Sequence, residues 1–222
     1  MNLFHKNFLL FYSLLLVSCF MIPSLACASE PGIKVVLKNH DGTEIISEKE
    51  FSFSDINTTM TSTGAAGGIL LSFQGPTFDP ENLWDPEESK NVDNLKTRII
   101  GVPIKELLVN SEIPEDSINV TFVADDGFKK TLPAVNIYNP PDVQGEPILA
   151  YWYEDAGLLP EESGYRLYFD APDGVYGNSD MQNSLPDDYY HYFFNSADKT
   201  AYPSAKGLSV AKIIQIEIQM SD

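Results

Sequence analysis

The chain has 222 residues, 43% apolar and 12% aromatic, enough for one sizeable hydrophobic core. With 32 acidic against 14 basic residues it carries a formal charge of −18. Such a surface repels phosphate backbones and anionic lipid, which sets nucleic acid aside as a partner and suits cationic groups.

His5 and Lys6 precede an apolar run over residues 8–22, broken only by Ser13, Ser18 and Cys19. Pro23 then leads to Ser24, Leu25, Ala26, Cys27 and Ala28. A basic start, a short apolar stretch and small residues at Ala26 and Ala28 form the pattern of a secretory signal. The run falls short of the ~20 continuous apolar residues a membrane span needs. Residues 1–28 are therefore expected to be removed, leaving 29–222 as one domain in the periplasm or outside the cell. Leu16, Val17, Ser18 and Cys19 also fit a bacterial lipoprotein box, although apolar Phe20, Met21 and Ile22 follow it. Membrane association is expected only in that lipid-anchored form. Residues 29–222 hold 13 basic and 32 acidic residues, a charge of −19, and no cysteine. Disulfides and thiolate metal sites are thus excluded from the exported part.

Residues 33–37 and 43–46 flank the turn signal Asn39, His40, Asp41, Gly42 and predict a hairpin. Residues 51–53 lead to a short helical turn capped by Ser54 or Asp55, and glycines 64, 67 and 68 precede a strand at 69–73. Residues 74–94 form an acidic insertion around Trp84. Pro103 then opens a helix whose apolar face is Ile104, Leu107 and Leu108. Strands at 118–124 and 128–132 meet at Asp125, Asp126, Gly127, where glycine supplies a positive φ. Further strands are expected at 148–153, 165–169 and 210–220. Residues 170–208 are rich in Gly, Asp and aromatics and show no period. This pattern predicts an α+β, mostly β domain of mixed sheets with short helices.

The run Gly101, Val102, Pro103, Ile104, Lys105, Glu106, Leu107, Leu108 resembles the "GVPLxxLL" segment of the sulfite-oxidase-type molybdopterin-binding domain. Residues 120–128 are similar to that family's "VxFxAxDGY" hairpin. Residues 149–151, 157–160 and 164–167 resemble "LAYxxNGxPLxxxxGxPLRL". Residues 211–218 are similar to its closing "VKWVxxIEV" strand, and residues 51–56 to its "YTLxDL" segment. The resemblance runs in order over residues 33–218 and implies a sulfite-oxidase-like molybdopterin-binding fold. By position it makes Thr61, Ser62, Thr63, Arg166 and Lys212 candidate cofactor contacts, with molybdopterin the implied cofactor.

The departures from the family bear on function. Catalytic members hold molybdenum through a cysteine on the segment after "DL", and the matching residues 58–67 contain none. Hydroxyls at Thr61, Ser62 or Thr63 are hard, neutral donors and replace a soft thiolate poorly. The cofactor's phosphate also calls for cations, and Lys212 falls one position from the family's closing lysine. The sequence therefore predicts a retained fold without bound cofactor, metal or catalytic residues, acting as an exported module for a small molecule or a protein partner. The alternative is a molybdopterin-dependent oxidoreductase, or a subunit of one, with non-cysteine metal ligation.

Among other constellations, Asp170, Asp173, Asn178 and Asp180 offer oxygen donors, but not at EF-hand spacing, and solvated loop acids are commoner than calcium ligands. His191 lies among aromatics, where a packed or hydrogen-bonded histidine is the ordinary case. Asn57 and Asn119 begin glycosylation sequons. No Gly-x-Ser-x-Gly elbow and no phosphate-cradling glycine loop occur.

Overall fold

Strand β1 (Gly32–Lys38) turns Ile33, Val35 and Leu37 into the core, as the alternation of a strand requires. The Asn39 side-chain carbonyl accepts the N–H groups of Thr43 and Glu44 at 3.0 and 3.1 Å and closes the turn to β2 (Ile45–Ser52). β2 runs past the 43–46 segment the sequence predicts. Its first six residues are all exposed because it is an edge strand, so they carry no period-2 signal. The computed structural model describes residues 31–64, 67–85, 87, 92 and 94–221; residues 1–28, expected to be an export signal, and with them both cysteines, lie outside these.

Helix α1 (Phe53–Thr59) is capped by Ser52, not by Ser54 or Asp55. The Ser52 hydroxyl accepts the Asp55 N–H at 3.1 Å, and the Asp55 carboxylate accepts the Ser52 N–H at 2.9 Å, a reciprocal capping box. The Ser52 hydrogen bonds hold the Asp55 carboxyl below its usual range. Strands β3 (Ile69–Phe73) and β4 (Asn94–Pro103) pair antiparallel. Helix α2 (Ile104–Asn110) starts directly after Pro103 and buries Ile104, Leu107 and Leu108 completely, as predicted. Strands β5 (Asn119–Ala124) and β6 (Lys129–Pro133) form the expected hairpin, with Gly127 at φ 86° in its turn.

After helix α3 (Val135–Tyr138) come β7 (Glu146–Tyr153), β8 (Gly157–Leu158), β9 (Arg166–Asp170) and β10 (Val175–Tyr176). Helix α4 (Asn178–Ser184), strands β11 (Tyr192–Asn195) and β12 (Thr200–Pro203), and β13 (Ile213–Gln219) complete the chain. β13 begins three residues later than the pattern suggests, because Lys212 takes a left-handed φ of 51°.

Three sheets result. The first runs β2-β1-β13-β5-β6, with β1 and β13 parallel and the other pairs antiparallel. The second runs β10-β3-β4-β7-β8, with β9 also on β7. The third is the β11–β12 hairpin. The fold is mostly β, with mixed sheets and short helices. The rings of Phe73, Tyr168, Phe169 and Tyr176 gather in the core, the last two 4.4 Å apart.

Buried polar side chains, Asn178 chief among them, hold the aperiodic stretch 170–208. Asn178 is fully buried, its amide donates to the Gly75 carbonyl at 3.1 Å, and its oxygen accepts the Ala205 N–H at 2.7 Å. Its own N–H donates to the Gln74 side chain at 2.7 Å. Satisfied buried polar groups of this kind fix a unique arrangement of loops where apolar period is lacking.

Candidate functional site

Between α1 and the second sheet lies a hollow of about 440 Å³ lined by Phe53, Asn57, Ser62, Tyr151, Trp152 and Leu158, with Ile100 beneath. β7 presents Tyr151 here because β4 and β8 pair on either side of it, and α1 closes the opposite wall. The Phe53 ring meets Tyr151 edge to face, centroids 5.4 Å apart. The hydroxyls of Ser62 and Tyr151 are hydrogen-bonded at 2.9 Å, and Tyr151 also donates to the Asn57 side-chain oxygen at 3.4 Å. Aromatic walls with one small polar group of mixed donor and acceptor character are the usual make-up of a small-molecule site.

Of the three hydroxyl residues that the sequence singles out, Ser62 lines the hollow, and Thr61 and Thr63 are its neighbours in the chain. Thr61 gives both its N–H and its hydroxyl to the Glu106 carboxylate, at 2.7 and 2.9 Å. Ser62 faces Tyr151, and Thr63 exchanges backbone hydrogen bonds with Gly101 of β4. Arg166 stands on β9 in register with Ala150, the residue before Tyr151. Its Nε is buried and has no hydrogen-bond partner. Lys212 lies elsewhere, beside Gly164 on the wall of a separate hollow of about 290 Å³ with Asp125, Glu161 and Tyr165. The structure therefore brings Thr61, Ser62 and Thr63 together and leaves Lys212 apart.

The sequence does not reveal Tyr151 as the partner of Ser62, or Asn57 as the second partner of Tyr151. The aromatic run Tyr151, Trp152, Tyr153 marks a strand that could line a cleft, but which ring turns toward residues 61–63 depends on the α1 packing. Tyr153 instead donates to the Gly164 carbonyl at 2.9 Å, and burial pushes its phenol far above the usual range. Burial likewise raises Tyr168 to about 12, with the Arg166 charge acting against it.

The donors at Thr61, Ser62 and Thr63 do not fit molybdenum. They are neutral oxygens, those of Thr61 and Ser62 are already engaged, and a carboxylate, Glu106, stands beside them in place of a thiolate. The loop oxygens weighed for calcium also diverge. Asp173 accepts the Val175 N–H, Asp180 accepts the Gly177 N–H, and Asn178 serves the buried junction. Among the described residues no group of three or more His, Cys, Asp and Glu is placed to hold a metal. His191 packs its ring against Gly207, and burial, aided by the Lys130 charge, lowers its pKa. Among the described residues no helix is long and apolar enough to cross a membrane. No known protein family matches the chain, and no curated protein sequence is significantly similar to it.

Proposed function

We propose that this chain is an exported, non-catalytic binding domain of sulfite-oxidase-like fold that takes a small uncharged molecule in the hollow beside Tyr151. The observation that carries this reading is the Ser62, Tyr151 and Asn57 hydrogen-bonded group set into aromatic walls. A flat ligand would lie along Trp152 and Phe53 and exchange hydrogen bonds with the Tyr151 hydroxyl. The order of sequence segments resembling the molybdopterin domain supports the fold assignment. The missing cysteine and the engaged hydroxyls support loss of the metal chemistry.

One observation favours a second reading. Arg166 keeps a buried Nε without a partner, and a guanidinium so placed suits a phosphate or carboxylate on a ligand. A molybdopterin-dependent oxidoreductase, or a subunit of one, would place its cofactor phosphate there, but its metal would lack a soft ligand.

Two measurements separate the readings. The exported protein from a molybdenum-replete host is expected to begin at Ser29 by mass and to carry neither stoichiometric molybdenum nor pterin fluorescence. Both at one per chain would overturn the binding-domain reading. In a Trp84→Phe background Trp152 is the remaining tryptophan, and neutral bicyclic heterocycles are expected to quench it. Tyr151→Phe should weaken that binding by about five- to tenfold, the worth of one hydrogen bond. Equal affinity in the variant would remove the hollow from consideration.

A further inference from the structure

The β11–β12 hairpin stands outside both main sheets and carries aromatics on both faces. On one face Phe193 lies across from Tyr202, and Phe78 packs edge to face on both, with centroids 5.9 and 5.2 Å away. On the other, Trp84 meets Tyr190 at 5.2 Å and Tyr192 at 6.4 Å. Tyr202 is buried and Trp84 and Tyr190 are half-buried, but the rings around them stay open to solvent. Phe78 is 52% exposed, Tyr192 46%, Phe193 45% and Phe194 62%. Single exposed apolar side chains are ordinary, but several exposed aromatic rings gathered on one short hairpin mark an interaction surface.

Its surroundings indicate the partner's charge. Asp198 accepts the Tyr202 hydroxyl at 2.8 Å, and Asp79 bears electrostatically on the same phenol. Glu81 donates its N–H to Asp79 at 3.1 Å, and Asp187 and Asp188 form the 3-10 turn leading to Tyr190. Nearby cations include Lys199 in the hairpin turn, Lys206 just after β12, and Lys130, which donates to the Tyr190 carbonyl at 3.0 Å. The rim is net acidic on a strongly acidic chain, which disfavours anionic lipid and a second copy alike.

We propose that this hairpin is a docking surface for a basic segment of a partner protein. Its Lys or Arg side chains would lie over the ring faces and reach the carboxylates around them.

The test uses a labelled eight-residue peptide of alternating arginine and leucine, with a glutamate–leucine peptide as control. The basic peptide is expected to bind and the acidic one to fail. Hydrogen exchange should slow in β11 and β12 on binding. Phe194→Ser removes the most exposed ring, which packs on no other ring among the described residues, so its thermal midpoint should match the parent. It should bind about tenfold more weakly. Asp187→Asn with Asp188→Asn should also weaken binding and flatten its salt dependence. Equal affinity of Phe194→Ser, or protection confined to another surface, overturns the proposal. So does concentration-dependent dimerisation, or binding to neutral phosphatidylcholine vesicles, that Phe194→Ser abolishes, since either assigns the patch to a different occupant.

Discussion

Glu217 on the first sheet and the Glu146/Asp170 pair on the second are carboxylates in strands, yet their neighbours push them in opposite directions. Burial alone would raise Glu217. The Lys38 hydrogen bond at 2.9 Å and the charges of Lys38 and Lys129 overcome it, so its carboxyl sits below the usual range. Glu146 faces Asp170 directly across β7 and β9. Burial raises both, and the charges of Asp170 and Glu106 raise Glu146 further against the opposing pull of Lys105. The first arrangement stabilises the fold above the unfolded carboxylate pKa and loses that contribution as pH falls. The second contributes at acid pH and loses its contribution as pH rises through the raised values. A strand carboxylate is thus an asset or a burden according to whether the adjoining strands bring cations or acids.

The sharpest way to break this contrast is to separate β7 from β9. Gly145, just before Glu146, has φ 66°, and a Cβ there would fall 1.8 Å from the Asp170 carbonyl oxygen. Gly145→Ala must therefore strain the left-handed backbone and push the two strands apart. The expected loss is on the order of 3 kcal/mol, read from urea unfolding at pH 7. A variant as stable as the parent would mean that the close approach, and with it the Glu146/Asp170 repulsion, is not maintained.

The next largest effect tests the other side. Lys38→Met leaves Glu217, whose side chain is only 15% exposed, with Lys129 as its remaining cation. Lys38 itself keeps 24% exposure, so water screens part of the pair. A loss of about 1–2 kcal/mol at pH 7 is expected, shrinking below pH 4 as Glu217 gains its proton. A loss of the same size at pH 3 would show that Lys38 matters through packing and not through charge.

The two regions also differ in how much of them can be read from residues alone. The first sheet is transparent where burial alternates, as in β1 and β5, and where Gly127 marks a turn. Its edge strand β2 is not, because residues exposed on both faces carry no hydrophobic period. The α1 cap is not legible either: the pattern offers Ser54 or Asp55, and the cap is Ser52. Only the position of Asp55 at the third helical residue, bonded back to Ser52, settles it. Helix α2 was legible from Pro103, Ile104, Leu107 and Leu108. The segment 170–208 was not, since strands of two to four residues held by Asn178 and Gln74 have too little length for a period. Of the candidate site, the stretch 61–63 was marked by resemblance. The partnership of Ser62 with Tyr151, between segments 89 residues apart in sequence, depends on tertiary packing and leaves no local signal.

The smallest effect sharpens the contrast from its unfavourable side. Glu146→Gln keeps the side-chain shape and removes one of two charges that face each other across the strands. Above the raised values, where both carboxyls carry charge, the variant is expected to be more stable, by about 0.5 kcal/mol, the size of a directly opposed like-charge pair. As pH falls through the raised values the parent binds a proton at this site more readily than the unfolded chain does, and the advantage should disappear. Between these limits the parent's stability falls with rising pH while the variant's runs flatter. Added salt should shrink the difference, because both side chains reach solvent. Urea unfolding at pH 4, 5, 6 and 7 reads all three features. A constant gain at every pH would trace the effect to packing and dissolve the electrostatic contrast between the two sheets.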